Sequence, residues 1–275
     1  MAALLALVAA LLWGLGAFLG GQASRRAALI PVLAVELLVG TIVIIPLAFL
    51  TAHRFAWVDL LIGGAAGFFG LLGVTFLYRG LRGPMAAGAP VAGVVSAALP
   101  LLWGVGFGER LSAWQIYGVI LGLMSIVLIS DTGRALHRIS LGPLVNGVLA
   151  GAGFGAGYIV LDATDPLTAP WPILGARLLP ALAVCTVAFA AHQPPSAVGP
   201  ARLWSVGAGI STVLASVAFL AAINRGLLST SSVLSCLHPA VTVLLARLFL
   251  RERMSPSQAT GLTVAVAAIS MITAG

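Results

Sequence analysis

Ten apolar runs, each close to the ~20 residues that a helix needs to cross a bilayer, limit what this chain can fold into. They cover roughly residues 3–21, 28–50, 57–78, 85–107, 113–130, 142–161, 171–191, 203–223, 229–249 and 256–274. Backbone groups in lipid must bond within their own segment, so these runs are expected to be helices. The connections are short, with no room for a folded soluble domain. In the first run the apolar stretch exceeds the ~7–15 residues of a signal-peptide core. Arg25 and Arg26 follow it rather than precede it, so it is expected to be a transmembrane helix.

Charge is scarce. Charged residues make up 8% of the chain and hydrophobic ones 60%, against ~25% charged in a soluble domain. A lipid bilayer is therefore the expected partner for most of the surface. The net charge of +7 comes from 14 basic residues, all arginine, mostly at the ends of apolar runs. That is the pattern of a membrane interface, and it points away from nucleic acid. The absence of lysine excludes a Walker-type phosphate loop and Schiff-base chemistry. Cys185 and Cys236 lie inside apolar runs, as buried, inert thiols do. The acidic residues are scattered, with no metal-ligand spacing, so neither a cofactor, a metal nor an enzymatic site is expected.

The chain repeats itself. Glu109-Arg110-Leu111-Ser112 with Gln115 and Gly118 reappears as Glu252-Arg253-Met254-Ser255 with Gln258 and Gly261, 143 residues later (252 − 109). Tyr78-Arg79-Gly80-Leu81 resembles Asn224-Arg225-Gly226-Leu227, and the stretch from Pro31 through Glu36 resembles that from Pro172 through Arg177. The longest polar connection, Asp131 to Leu141, separates five runs from five. An odd number of helices per repeat turns the halves upside down relative to each other, the plan of many secondary transporters. Locally, Ser112 and Ser255 are expected to cap helices, with Gln115 and Gln258 closing capping boxes. Glycines four apart, as at Gly16 and Gly20, Gly63 and Gly67, and Gly147, Gly151 and Gly155, suit close helix packing in lipid.

These residues resemble the drug/metabolite transporter superfamily in its ten-helix form with two EamA-type domains. The resemblance covers nearly the whole chain. It is carried by Gly108 through Ser112 with Gln115 and Gly118, by Pro239 through Arg253 with Ser255 and Gln258, and by Trp13-Gly14 and Ala176-Arg177-Leu178. It implies an all-α integral membrane protein with ten transmembrane helices in two inverted five-helix repeats, 1–131 and 141–275, joined by 132–140. It also implies transport of a small organic metabolite or drug, with export expected, uptake of a solute such as a sugar the alternative and a non-transport or lipid-acting protein the rival class. With no nucleotide site in the sequence, a proton or an exchanged solute is the expected driving force, and arginine, alanine and glycine richness without lysine points to a bacterial inner membrane. Ser96 stands where the second repeat has Pro239, and Glu36 stands where the family's second helix more often carries a basic or neutral polar residue. Ten helices put both termini on one side. Nine loop arginines lie on the opposite side and three on the same side, which by the positive-inside rule places the termini outside. The resemblance implies termini inside.

Charges inside a bilayer are costly and mark functional candidates. Glu36 and Arg177 hold equivalent places in the repeats and are expected in gating or coupling, with static pairing the competing account for both and snorkelling at the lipid edge a further one for Glu36. Each lies about six residues from the start of its helix, hence ~9 Å deep. Entry from opposite faces of a ~30 Å core leaves ~12 Å between them. The expected partners are therefore Arg79 or Arg82 for Glu36, and Asp162, Asp165 or Glu109 for Arg177. His238-Pro239 follows a serine-rich stretch that includes Ser235. Proline there frees a backbone carbonyl, and His238 suits substrate binding, proton carriage or packing. Trp13, Phe154, Tyr158, Asn224, Ser235 and His238 are the candidate substrate-binding residues, lining a cavity that the resemblance places among helices 1, 3, 4, 6, 8 and 9. Packing is the competing account for each of them.

Overall fold

A computed structural model describes residues 1–81, 88–129, 141–250 and 254–275. Among them every regular element is helical. The α-helices are α1 (Ala2–Ser24), α2 (Leu29–Thr51), α3 (Trp57–Leu81), α4 (Gly88–Gly106), α5 (Ala113–Ile129), α6 (Leu141–Asp162), α7 (Trp171–Ala190), α8 (Arg202–Ile223), α9 (Leu228–Ser235), α10 (His238–Leu250) and α11 (Pro256–Ala274). Eight segments are long and apolar enough to cross a membrane, with α9 and α10 together forming one of them. Two shorter apolar helices, Val91–Gly106 and Ala113–Ile129, accompany them.

The ninth apolar run is not the continuous helix that its hydropathy suggests. It breaks at Cys236 and Leu237, where the Leu237 N–H bonds the carbonyl three residues back, on Leu234. Pro239, the second residue of α10, has no N–H to continue the ladder. The caps form as the sequence dictates. The Ser255 hydroxyl accepts the Gln258 N–H at 3.2 Å, and Gln258 Oε1 accepts the Ser255 N–H at 3.0 Å. Ser112 and Gln115 make the same reciprocal pair at 3.1 and 2.9 Å. A cap of this kind contributes ~1 kcal/mol.

The packing is pseudosymmetric. α1 packs on α8 as α6 packs on α3; α2 packs on α8 as α7 packs on α3; α4 meets α6 as the α9–α10 pair meets α1. α5 and α11 pack on each other. Gly63 and Gly67 make one such seam possible, since a Cβ at either would collide with the α7 backbone at Pro172 or Ala176. Large apolar side chains such as Phe49, Leu50, Leu102, Leu203, Leu248 and Phe249 remain exposed. Lipid is the solvent in which such a surface is stable.

Candidate functional site

The break in the ninth span puts an imidazole next to an aromatic cluster. Trp13 of α1 stacks on Tyr158 of α6 at 5.5 Å between ring centroids, and Phe219 of α8 lies 5.4 Å from Trp13 and 4.6 Å from Tyr158. The His238 ring meets Trp13 edge-on at 6.5 Å. Three helices beside α10, drawn from both halves of the chain, therefore meet at one point. Gly14 allows it: a Cβ there would stand 2.8 Å from the His238 carbonyl. The Thr242 hydroxyl, which can donate to only one acceptor at a time, lies 3.1 Å from the Gly14 carbonyl and 3.2 Å from that of His238.

Around this cluster the polar groups are mostly satisfied. The His238 Nδ1 lies 3.3 Å from the Ser235 carbonyl. The Ser235 hydroxyl donates to the Ala6 carbonyl at 3.2 Å, tying α9 to α1. The Cys236 thiol lies 3.6 Å from the Ser96 hydroxyl and also meets Tyr158. One turn earlier, Ser232 is fully buried and its hydroxyl has no partner among the described residues. Cys185 and Cys236 are both free thiols.

Of the predicted lining, the structure brings together Trp13, Tyr158 and His238. Phe154 lies against Gly73 on the seam between α6 and α3. Asn224 is the C-cap of α8, with its N–H on the Leu220 carbonyl. Ser235 points to α1. Phe219 was not anticipated. A signal existed, because Thr212, Ser216 and Phe219 recur at i, i+4 and i+7 on one face of α8.

The second site joins Glu36 and Arg177 through α8. The Arg177 Nη2 donates to the Thr212 carbonyl at 2.7 Å and to the Ser216 hydroxyl at 2.8 Å. The Thr212 hydroxyl lies 3.2 Å from Glu36 Oε1 and 3.3 Å from the Gly209 carbonyl, and the carboxylate is the stronger acceptor for its one hydrogen. Among the described residues only Arg54 and Asp165 form an ion pair, at 3.7 Å, so Glu36 and Arg177 form no direct ion pair. They nevertheless meet on one residue, near the middle of α8. The partners expected for Arg177 are a correction. Asp165 pairs with Arg54 and caps the Leu167 N–H at 2.9 Å, Glu109 is engaged elsewhere, and the guanidinium turns to α8 instead. The depth argument placed the charge at its own Cα. The Arg177 side chain runs over Gly40, its Cδ 3.3 Å from where a Cβ there would sit, and gains the missing distance. Arg82 and the Arg79 side chain, the partners expected for Glu36, lie outside the described residues.

Glu109, in the repeated motif, crosses between the halves. Its carboxylate accepts the N–H of Leu228 at 2.6 Å, the N–H of Ser229 at 3.0 Å and the Ser229 hydroxyl, so it caps α9 from outside that helix. Negative charge at a helix N-terminus is stabilising. Gly104 leaves the room, since a Cβ there would collide with the carboxylate. Glu252, the equivalent residue, lies outside the described residues.

Among the described residues no cluster of histidine, cysteine and acidic side chains is arranged to hold a metal ion. A solved structure described as "Crystal structure of protein" is similar in fold. It has a TM-score of 0.77 at 20% sequence identity, over 99% of this chain and 96% of the other. No curated protein matches the sequence. The model of the EamA-like transporter family matches residues 1–131 and 142–274, which is nearly the whole chain. The chain belongs to the EamA-like transporter family.

Proposed function

We propose that this protein is a secondary transporter that exports a small organic metabolite or drug by alternating access. Ten spans in two inverted five-helix repeats would rock about a site at mid-membrane. The observation that carries this reading is the meeting of Trp13, Tyr158, Phe219 and His238. These residues come from both halves and sit where a span is broken. Irregular backbone at membrane depth belongs where protein or a cavity satisfies it. Trp13, Tyr158 and His238 line the substrate site, with Phe154, Ser235 and Asn224 on its margins. Glu36 and Arg177 couple transport to a proton or an exchanged solute through Thr212.

Uptake of a solute such as a sugar is the second reading. It shares the same site and differs only in the direction of the driving gradient. A non-transport protein acting on lipids is a third and has the least support, since the family model that matches nearly the whole chain is one of transporters. The test is internal pH in proteoliposomes challenged with amino acids, sugars and cationic drugs, with Glu36→Gln and His238→Ala alongside. A solute-dependent pH change that is reduced in Glu36→Gln supports proton coupling through Glu36. Solute flux with no pH change would remove the proton and leave exchange or facilitated diffusion. No flux of any solute, together with lipid turnover, would favour the third reading.

A further inference from the structure

Pro239 lacks an N–H, so it cannot bond the carbonyl four residues back, on Ser235. The His238 ring takes its place, with Nδ1 at 3.3 Å from that oxygen. A carbonyl oxygen only accepts, so Nδ1 must carry the hydrogen. A neutral imidazole has one N–H. Nε2 is then an acceptor with its lone pair free, and no described residue supplies it with a hydrogen-bond partner. The ring is half-buried rather than sealed.

Among the described residues no charged side chain bonds the His238 ring. The titratable groups beside it are Tyr158 from α6 and Cys236 from the α9–α10 break, both uncharged near neutrality at their ordinary values. α1, α5 and α11 contain no charged side chain within their helices. The nearest charges on the packed elements are Arg177, whose guanidinium reaches the Ser216 hydroxyl three residues before Phe219 on α8, and Asp162, four residues after Tyr158 on α6. In α10 itself, Arg247 stands nine residues after His238, ~13 Å along the axis. A charge held against the ring itself would touch no counter-charge among the described residues, and burying an unpaired charge is costly. The walls offered by Trp13, Tyr158 and Phe219 are flat and aromatic.

We propose that this cluster binds the uncharged, flat part of a ligand through one N–H or O–H donated to His238 Nε2. Ligand and proton then compete for one lone pair. Protonation leaves the Nδ1–H bond to Ser235 intact, so the break in the span survives, but Nε2 becomes a donor and the ligand's donor is rejected. The transport reading gives this competition its purpose, as a means of exchanging ligand for proton. The binding chemistry itself does not depend on transport.

The test uses the full chain in detergent, labelled with 15N-histidine, and two probes of nearly the same shape. Phenol has an O–H to donate and anisole has none. The His238 signal is assigned by its absence in His238→Gln. The expected result is the Nδ1–H tautomer at neutral pH. Phenol at ten times its dissociation constant should lower the apparent proton affinity of His238 about tenfold, because it binds the neutral ring alone. Anisole should leave that affinity unchanged. An Nε2–H tautomer overturns the proposal. So does an equal response to the two probes, including no response to either. Competition by phenol in a protein that moves no solute would overturn the transport reading alone. Solute flux without this competition would overturn the His238 proposal alone.

Discussion

Thr212 uses two different atoms for two charged neighbours. Its hydroxyl faces Glu36 and its carbonyl faces Arg177. Thr212→Val keeps the shape and the carbonyl but removes the donor to Glu36. Leaving a half-buried acceptor without its partner costs ~1–3 kcal/mol, so the thermal unfolding midpoint in detergent should fall, and Thr212→Ser should restore most of it. An unchanged midpoint in Thr212→Val would mean that water already serves Glu36. Arg177→Lys should also lower stability, because Nη2 alone serves both Thr212 and Ser216 and the shorter lysine side chain ends before the position of that nitrogen. At this scale the sequence marked Glu36, Arg177 and His238 as unusual, since ionisable residues stand out in apolar runs. It did not mark their partners. Thr212 and Ser216 look like ordinary small polar residues, and they lie 35 and 39 positions from Arg177. Their distance from it in sequence hides a contact that the length of one side chain creates.

At the scale of elements, the caps at α5 and α11 were legible because a capping box is local, four residues long and set by backbone geometry. The break between α9 and α10 was half legible. Proline at position 239 announced a freed carbonyl, but hydropathy ran on through residue 249. Pro239→Ala tests this account. It supplies an N–H to the Ser235 carbonyl and releases the His238 ring, so α9 and α10 should join into a straighter helix. His238 should lose its fixed tautomer, as read by 15N-histidine spectra. The Glu109 cap on α9 was not legible, since it crosses 119 residues to Leu228. Glu109→Gln removes the charge that favours the N-terminus of α9. A loss of ~1 kcal/mol is expected, with faster amide exchange at Leu228 and Ser229 and little change at α11. Equal exchange in variant and parent would deny the cap any energetic role.

For the whole molecule, the apolar runs were enough to give the helical membrane class, because lipid removes every alternative to internally bonded backbone, while the family came from the resemblance of motifs such as Gly108 through Ser112 and Pro239 through Arg253. Neither could bring Phe219 beside Trp13, since a helix's apolar residues look alike whether they face lipid, a neighbour or a cavity. Only packing separates them. The account holds that the aromatic cluster is the central site of a carrier that opens to each side in turn. The direct measurement is two-sided labelling of Tyr158→Cys with a membrane-impermeant thiol reagent in sealed, oriented vesicles, with Cys185 and Cys236 replaced by alanine. The account predicts labelling from both faces, with a substrate shifting the balance between them. Labelling from one face alone, whatever solute is present, would contradict it.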